Sequence, residues 1–374
     1  MRLSCNKAVL QSATALASRA AARGTTRSGL EILSGLLLDA GDHGLRIVGY
    51  DYDLGIEVCV PVTIGEAGTV VVPARQLTSI VKSLPRTEVV LAAEEAMLRI
   101  TADKTKFKLQ QMEATSYPAL PEDSGQTLEV PFEEFREMVR KVAFATANAD
   151  KTGRYVLSGV YTVFEQDELT MVATDSFRMA VRTIPASFPV DEPVTAIVPA
   201  QFLEELARAT GGEDIRLTIG TSHIHSVVAN MRFTGRLLEG QFPAWQQVLP
   251  HPADAPTRLT ADREQLLAAV ERVSLMCKDD MAAIRLKQTD NTLSLKAVYS
   301  EVGEAHEEIG IGCDKGGDMW VALRPTYLRD ALSAMGGDEV NIYYQSHKHP
   351  VLLRDPKDPN YSCVVMPIST PVAT

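Results

Sequence analysis

The sequence predicts an α+β protein made of three tandem copies of one unit, each with two helices packed on antiparallel sheet. Three observations predict it. A buried strand that stops at proline and runs into a helix occurs three times at one spacing. A second strand-to-helix junction recurs in step with the first, and the intervals between are filled with short β-prone segments closed by turn residues.

The first junction is Thr69-Val70-Val71-Val72-Pro73-Ala74-Arg75-Gln76-Leu77, followed by a helical period through Ile80, Val81 and Leu84. It returns as Ala196-Ile197-Val198-Pro199-Ala200-Gln201-Phe202-Leu203 and as Trp320-Val321-Ala322-Leu323-Arg324-Pro325-Thr326-Tyr327-Leu328. Pro73, Pro199 and Pro325 are spaced about 126 residues apart, the length of a domain rather than of a small solenoid repeat. Proline's fixed φ and missing N–H suit the first turn of a helix. The second junction is Leu3-Ser4-Cys5-Asn6, then Leu128-Glu129-Val130-Pro131, then Leu259-Thr260-Ala261-Asp262, each before a helical pattern. Asn6 and Asp262 are expected N-caps, and Pro131 fits the first helical position or its neighbour.

In the first copy the β-prone segments are residues 44–49, 88–91, 96–100 and 107–109. Gly41-Asp42, Gly211-Gly212 and Gly336-Gly337-Asp338 supply turns. Proline-bearing links around Pro118 and Pro121, and around Pro250 and Pro252, divide the chain into expected domains at 1–124, 125–251 and 252–374.

Composition narrows the function. With 374 residues, 45% hydrophobic and 23% charged, the chain is that of an ordinary globular protein of two or three domains. No apolar run approaches the ~20 residues a membrane-spanning helix needs, so no membrane partner is expected. Cys5, Cys59, Cys277, Cys313 and Cys363 are scattered without a C-x-x-C pair; neither a disulfide framework nor a zinc site is expected, and a cytoplasmic location is. Residues 1–27 have no acidic side chain, as in transit peptides, but Ala8, Val9, Ser12, Ala13 and Leu16 recur at helical steps among Lys7, Gln11, Arg19 and Arg23. That segment reads as an amphipathic helix of the fold. A net charge of −11 argues against a protein that grips nucleic acid by bulk attraction, so any contact with DNA must be local or topological.

Features open to an enzymatic reading are thin. Asp51-Tyr52-Asp53 and Asp279-Asp280 pair carboxylates, and His223-Ile224-His225 puts two imidazoles on one strand face. A metal-dependent nuclease or hydrolase on repeated α+β domains is the alternative these features leave open. Neither a G-x-x-x-x-G-K-[ST] loop nor a G-x-S-x-G elbow is present. No catalytic residue, metal ligand or cofactor is expected.

Four segments, Val72-Pro73-Ala74-Arg75, Ala173-Thr174-Asp175-Ser176-Phe177-Arg178, Glu239-Gly240-Gln241-Phe242-Pro243 and Val364-Val365-Met366-Pro367-Ile368, carry a resemblance. Together, and in that order, they resemble the β subunit of the bacterial replicative DNA polymerase, the sliding-clamp family, from about Leu3 to about Ile368. The resemblance implies the DNA-clamp fold and a non-catalytic processivity factor. Two copies would join head to tail as a homodimer that closes a ring around duplex DNA. The implied dimer contact is Ile80, Leu84, Phe107 and Leu109 meeting Leu275 and Met276; the alternative reading of all six is domain core.

The implied DNA-facing residues are Arg27, Arg75, Lys151 and Arg208, with Arg136 and Arg140 one turn apart on α-helical spacing. Arg19, Arg23, Lys82, Arg272 and Lys278 are further candidates, and each also reads as a solvated helix charge. The chain departs from the family at Ala200 and Gln201, where basic residues are common, which weakens the implied attraction.

The implied peptide pocket is Leu157, Thr174, Ser176, Phe177, Arg178, Met179, Pro243, Val248, Tyr327, Val364, Val365, Met366, Pro367 and Ile368. Residues 364–366 also read as a terminal core strand. Phe177, Gln247 and Arg324 depart from the family's common residues. The implied partners are the replicative polymerase's catalytic subunit, the clamp-loader complex, and other polymerases and repair proteins carrying clamp-binding peptides. The ATP that opens the ring would belong to the loader.

Overall fold

The computed structural model describes residues 1–22, 31–86, 88–122, 124–148, 153–277, 283–299, 303–316 and 319–368. Among them the expected unit appears three times as strand, helix, strands, helix, strands. The first copy is β1 (Arg2–Asn6), α1 (Lys7–Ala17), β2 (Gly35–Gly41), β3 (Gly44–Tyr50), β4 (Leu54–Val60), β5 (Thr63–Glu66), β6 (Gly68–Pro73), α2 (Ala74–Ser83), β7 (Glu88–Glu94), β8 (Met97–Ala102) and β9 (Thr105–Gln110). The second is β10 (Gln126–Pro131), α3 (Phe132–Val142), β11 (Gly159–Phe164), β12 (Glu168–Thr174), β13 (Arg178–Pro185), β14 (Val194–Pro199), α4 (Ala200–Ala207), β15 (Asp214–Ile219), β16 (His223–Val228) and β17 (Met231–Arg236). The third is β18 (Thr257–Asp262), α5 (Arg263–Ser274), β19 (Ile284–Thr289), β20 (Thr292–Tyr299), β21 (Gly303–Lys315), β22 (Trp320–Leu323), α6 (Pro325–Ala334), β23 (Glu339–Tyr344), β24 (Val351–Asp355) and β25 (Asp358–Val365).

The chain forms two compact bodies, Met1–Glu133 with Gln201–Leu237 and Glu134–Ala200 with Leu238–Thr374. The first body holds a sheet ordered β5-β1-β7-β8-β9 and another ordered β10-β15-β16-β17-β4-β3-β2-β6. The second holds one sheet ordered β14-β11-β12-β13-β25-β24-β23-β18-β21-β20-β19-β22. The second copy is therefore shared: β17 pairs with β4 of the first copy, Met231 opposite Val58, and β13 pairs with β25 of the third, Arg178 opposite Val365. Each pairing satisfies a row of backbone groups that a lone copy would leave open.

The recurring prolines are explained by those sheet orders. β6, β14, β10 and β22 are the terminal strands of their sheets. Pro73, Pro199 and Pro131 are the last residues of β6, β14 and β10, and only Pro325 sits inside its helix's first turn, with Arg324 as N-cap. The first-turn explanation thus holds for Pro325, and Pro131 takes the neighbouring position directly before Phe132 of α3. For the others the reason is the sheet edge, where a missing N–H breaks no interior ladder.

Helix caps follow the sequence. Asn6 Oδ1 accepts from Ala8 N at 2.8 Å, and Asp262 Oδ1 from Gln265 N at 2.8 Å. The N-terminal segment is part of the core, since α1 buries Leu10, Ala13, Thr14 and Ala17. It lies so close to β3 that a Cβ on Gly49 would come within 2.0 Å of the Ala17 carbonyl oxygen. In the second body α5 packs Leu266, Ala269, Val270 and Val273 beside α6, which buries Leu328, Ala331 and Leu332.

A buried ionic clasp joins the second and third copies inside the second body. Lys141 of α3, only 4% exposed, donates to Asp358 Oδ2 at 2.6 Å, and Arg182 of β13 donates to the same oxygen. Tyr361 caps the group: its hydroxyl donates to the Lys141 carbonyl at 2.8 Å and accepts from the Cys363 thiol at 2.9 Å. Removing one partner of a buried pair leaves an uncompensated charge. Asp358→Ala is expected to destabilise the protein by about 3 kcal/mol, read as a lower midpoint in urea unfolding followed by circular dichroism.

Candidate functional site

The loop between β12 and β13 is built by its own side chains. Thr174 Oγ1 donates to the Arg178 carbonyl at 2.7 Å and accepts from Ser176 N at 3.1 Å. Asp175 Oδ1 accepts from the amides of Phe177 and Arg178 at 2.8 and 2.9 Å, the local bonding that makes Asp and Thr turn residues. Ser176 consequently sits at φ +77. This tight turn pushes Phe177 into solvent at 54% exposure.

Arg178 is clamped between two carboxylates, Nε to Asp175 Oδ2 at 3.1 Å and Nη1 to Asp330 Oδ2 of α6 at 2.6 Å. Its guanidinium lies 4.6 Å from the Tyr327 ring centroid and 5.4 Å from that of Phe144. Arg324 continues the stack, 4.8 Å from Tyr327 and 5.7 Å from Phe177, and donates to the Tyr327 hydroxyl at 2.7 Å. The result is a ladder of alternating rings and cations, Phe144, Arg178, Tyr327, Arg324, Phe177, with its last ring in water.

Below the ladder Leu157, Met179 and Val364 belong to an apolar cluster with Val172, Val181, Ile197, Leu238, Phe242 and Leu352, against which Trp245 and Leu249 are half-buried. Val365 is buried too. These expected pocket residues are thus core, and residues 364–365 are the terminal core strand that the sequence left open. The accessible surface consists of Ser176, Phe177, Pro243 and Val248, with Thr174, Arg178, Tyr327, Met366, Pro367 and Ile368 half-buried. The final segment is tied down by Met366 N to the Phe177 carbonyl and Ile368 N to the Ala322 carbonyl, both 2.8 Å. Arg154, whose Nη1 donates to Ser176 Oγ at 2.6 Å, also borders this loop and was not singled out by the sequence; the next residue, Tyr155, is 42% exposed. Phe144 and Asp330 were missed as well, because nothing in local spacing signals a partner so distant in the chain.

The basic residues divide differently. Arg27, Lys151, Arg23 and Lys278 lie outside the described residues. Arg75 is exposed at the start of α2, on an open groove of about 1240 Å³ whose lining mixes Gln76, Ser79 and Glu113 with Ile32, Ala74 and Met112. Arg140 makes a bidentate pair with Glu137 at 2.8 and 2.7 Å, and Arg136 is half-buried beside it. Arg208 and Arg19 both bond Glu205, at 2.7 and 2.9 Å, and Arg272 bonds Glu307 at 2.9 Å. Many expected DNA contacts are therefore already engaged by carboxylates.

Of the expected dimer residues, Leu84 and Leu109 are buried, Ile80, Phe107 and Met276 half-buried, and Leu275 is 77% exposed. Phe107 and Leu109 lie on β9, the terminal strand of its sheet.

The features that tempted an enzymatic reading have local explanations. Asp51 Oδ1 accepts from Asp53 N at 3.1 Å and Leu54 N at 2.7 Å, shaping the turn before β4. Burial pushes its carboxyl above the usual range. His225 Nδ1 is 3.2 Å from the buried Thr234 hydroxyl. Burial also pushes the Cys363 thiol up to about 12 and Cys5 to about 11, unsuited to nucleophilic work. Among the described residues no three His, Cys, Asp or Glu side chains group as metal ligands; Asp279 and Asp280 lie outside them.

Three family models match in chain order: DNA polymerase III beta subunit, N-terminal domain at residues 1–121, central domain at 129–244 and C-terminal domain at 246–369. A beta sliding clamp of Staphylococcus aureus is 29% identical over 357 residues, 92% of this chain and 93% of that protein. Among solved structures, a DNA polymerase sliding clamp from Bacillus subtilis superimposes with a TM-score of 0.90 at 27% identity, covering 99% of both chains. A Pseudomonas aeruginosa sliding clamp bound to griselimycin gives 0.90 and 27% over 99% of this chain and 100% of that one.

The ladder has a middle and an end, which should differ in energetic weight. Tyr327→Ala removes the ring shared by both cations and is expected to destabilise by about 2 kcal/mol. Phe177→Ala, at the exposed end, should stay within about 0.5 kcal/mol of the parent; paired urea titrations distinguish the two.

Proposed function

This chain belongs to the DNA polymerase III beta subunit family, and on that footing we propose where it meets a second copy of itself, the duplex and its protein partners. The function is the family's: a DNA sliding clamp, a non-catalytic processivity factor of DNA polymerase. The observation that carries it is the run of three domain models in register along nearly the whole chain. The nuclease alternative finds no support among the relatives. We place the domain boundaries at 1–124, 125–251 and 252–374, and the protein in the cytoplasm. No described helix is long and apolar enough to cross a membrane.

In the proposed ring, β9 of one copy adds to residues 303–310 of β21 of the other. Two free edges support this. Among the described residues β9 pairs only with β8, and β21 pairs with β20 up to Gly310 but with β18 only from Ile311 onward. Their solvent faces are complementary, with Lys106 and Lys108 on β9 and Glu304 and Glu308 on β21, all exposed. Those glutamates escaped the sequence reading, because an edge is visible only once the sheet order is known. Phe107 would pack against the exposed Leu275 and the half-buried Met276 at the junction, with Ile80, Leu84 and Leu109 backing it.

Basic residues, Arg27, Arg75, Lys151, Arg208, Arg136 and Arg140, would face the duplex. The surface around Phe177, Pro243, Val248, Tyr327 and Met366 would take an apolar anchor of an extended peptide from the polymerase's catalytic subunit, the clamp loader, or other polymerases and repair proteins. An exposed aromatic above a packed apolar floor is the chemistry such an anchor needs. Leu157, Met179, Val364 and Val365 would support that floor rather than touch the ligand.

Two measurements test this assignment. Protein loaded on nicked circular DNA by a clamp loader should withstand a high-salt wash and leave when the circle is linearised; salt stripping both forms alike would refute encirclement. The double substitution Lys106→Glu with Lys108→Glu should raise the dimer dissociation constant at least tenfold in sedimentation, and an unchanged constant would place the contact elsewhere.

A further inference from the structure

Two arginines of the first body converge on one buried carboxylate. Glu205 of α4 is 7% exposed. Its Oε2 accepts from Arg19 Nη1 at 2.9 Å and its Oε1 from Arg208 Nη1 at 2.7 Å. Glu204 stands 3.6 Å from Arg208. The arginine side chains remain 41% and 54% exposed, and with Glu205, Asp51, Ala21 and Gln201 they line a cleft of about 400 Å³.

The lining of that cleft sets two guanidiniums against Glu205 and Asp51, and Glu204 beside Arg208 adds a third carboxylate at its rim. A guanidinium offers five N–H donors, so each arginine can reach outward while still held. Transferring it wholly to a DNA phosphate would leave the buried Glu205 carboxylate short of a partner, and a stranded buried charge is far more unfavourable than a broken surface pair. Phosphate and Glu205 are thus rivals for the same donors, and Glu205 is always present.

We propose that Glu205 is a positioning residue that acts as a built-in rival to DNA phosphate. It keeps Arg19 and Arg208 beside the duplex while preventing either from closing a full ion pair with it, so the ring slides with little drag. This rests on the reading above that Arg208 faces the duplex. It assigns Glu205 a role opposite to that of the basic residues around it: it lowers affinity.

The test uses the full chain and its Glu205→Gln, Arg208→Gln and double variants, with Arg19→Gln as a further single variant. Binding to short linear duplex is measured between 50 and 200 mM salt, and diffusion is measured for rings loaded on long DNA. Glu205→Gln frees up to two arginines and should steepen the slope of log affinity against log salt by about 0.9 to 1.8, with tighter binding at low salt and slower diffusion. Arg208→Gln alone should change affinity less than about twofold, because in the parent Glu205 keeps Arg208 from making a full phosphate contact, which would be worth a slope of ~0.9; in the Glu205→Gln background it should reverse about half the gain.

A folded Glu205→Gln protein with unchanged slope and diffusion overturns the proposal. So does an Arg208→Gln loss as large in the parent as in the Glu205→Gln background. Should Glu205→Gln not fold, the single arginine variants decide: affinities near the parent support the proposal, and a loss beyond about threefold, the effect of a full phosphate contact over this salt range, overturns it. Failure of the parent ring to survive salt on circular DNA would instead sink the encirclement reading, so the two failures remain distinct.

Discussion

A β-strand at the edge of a sheet exposes a row of N–H and C=O groups that must find partners or be protected, and the whole chain is organised around that requirement. The second copy solves it twice, giving β17 to β4 of the first copy and β13 to β25 of the third. Continuous sheets result, so copies that repeat in sequence do not fold as isolated beads. Where edges remain, prolines end three of the four terminal strands of the two larger sheets, and the fourth, β22, is followed by Pro325 two residues on. β9 lacks such protection and carries lysines on its exposed face. That is the condition for pairing with a matching edge rather than with any edge.

Buried charge is handled by one recurring device. Arg178 lies between Asp175 and Asp330, Asp358 between Lys141 and Arg182, and Glu205 between Arg19 and Arg208. Each centre has two partners of opposite sign, so that loss of one contact in a fluctuation does not strand it. Two of these sites join elements from different copies within the second body. The third joins Arg19 of the first copy to α4 of the second within the first body.

For a protein with a net charge of −11, this division suits retention by encirclement. A ring stays on DNA through its closed backbone and not through phosphate contacts, so affinity can be low and blind to sequence. Paired arginines fit such a surface better than bare ones. In the proposed arrangement, specific recognition would be left to the apolar surface around Phe177, where a stacked, preorganised ladder presents an aromatic group at small entropic expense.

Periodicity and junction residues were legible in the chain because they are local. Apolar alternation, the Asn6 and Asp262 caps and the triple repeat each act within a few residues, and they determined the α+β units and their number. The motif around Thr174 and Asp175 was equally local, since both side chains bond their own turn. Tertiary structure alone decided which strands are edges, that Leu157, Met179 and Val364 are buried rather than surface, and that Arg208 shares Glu205 with Arg19, which lies 186 residues from Glu205 along the chain. Such facts depend on which distant segments meet, and a backbone hydrogen bond or an ion pair carries no mark in the sequence of the partner it will find.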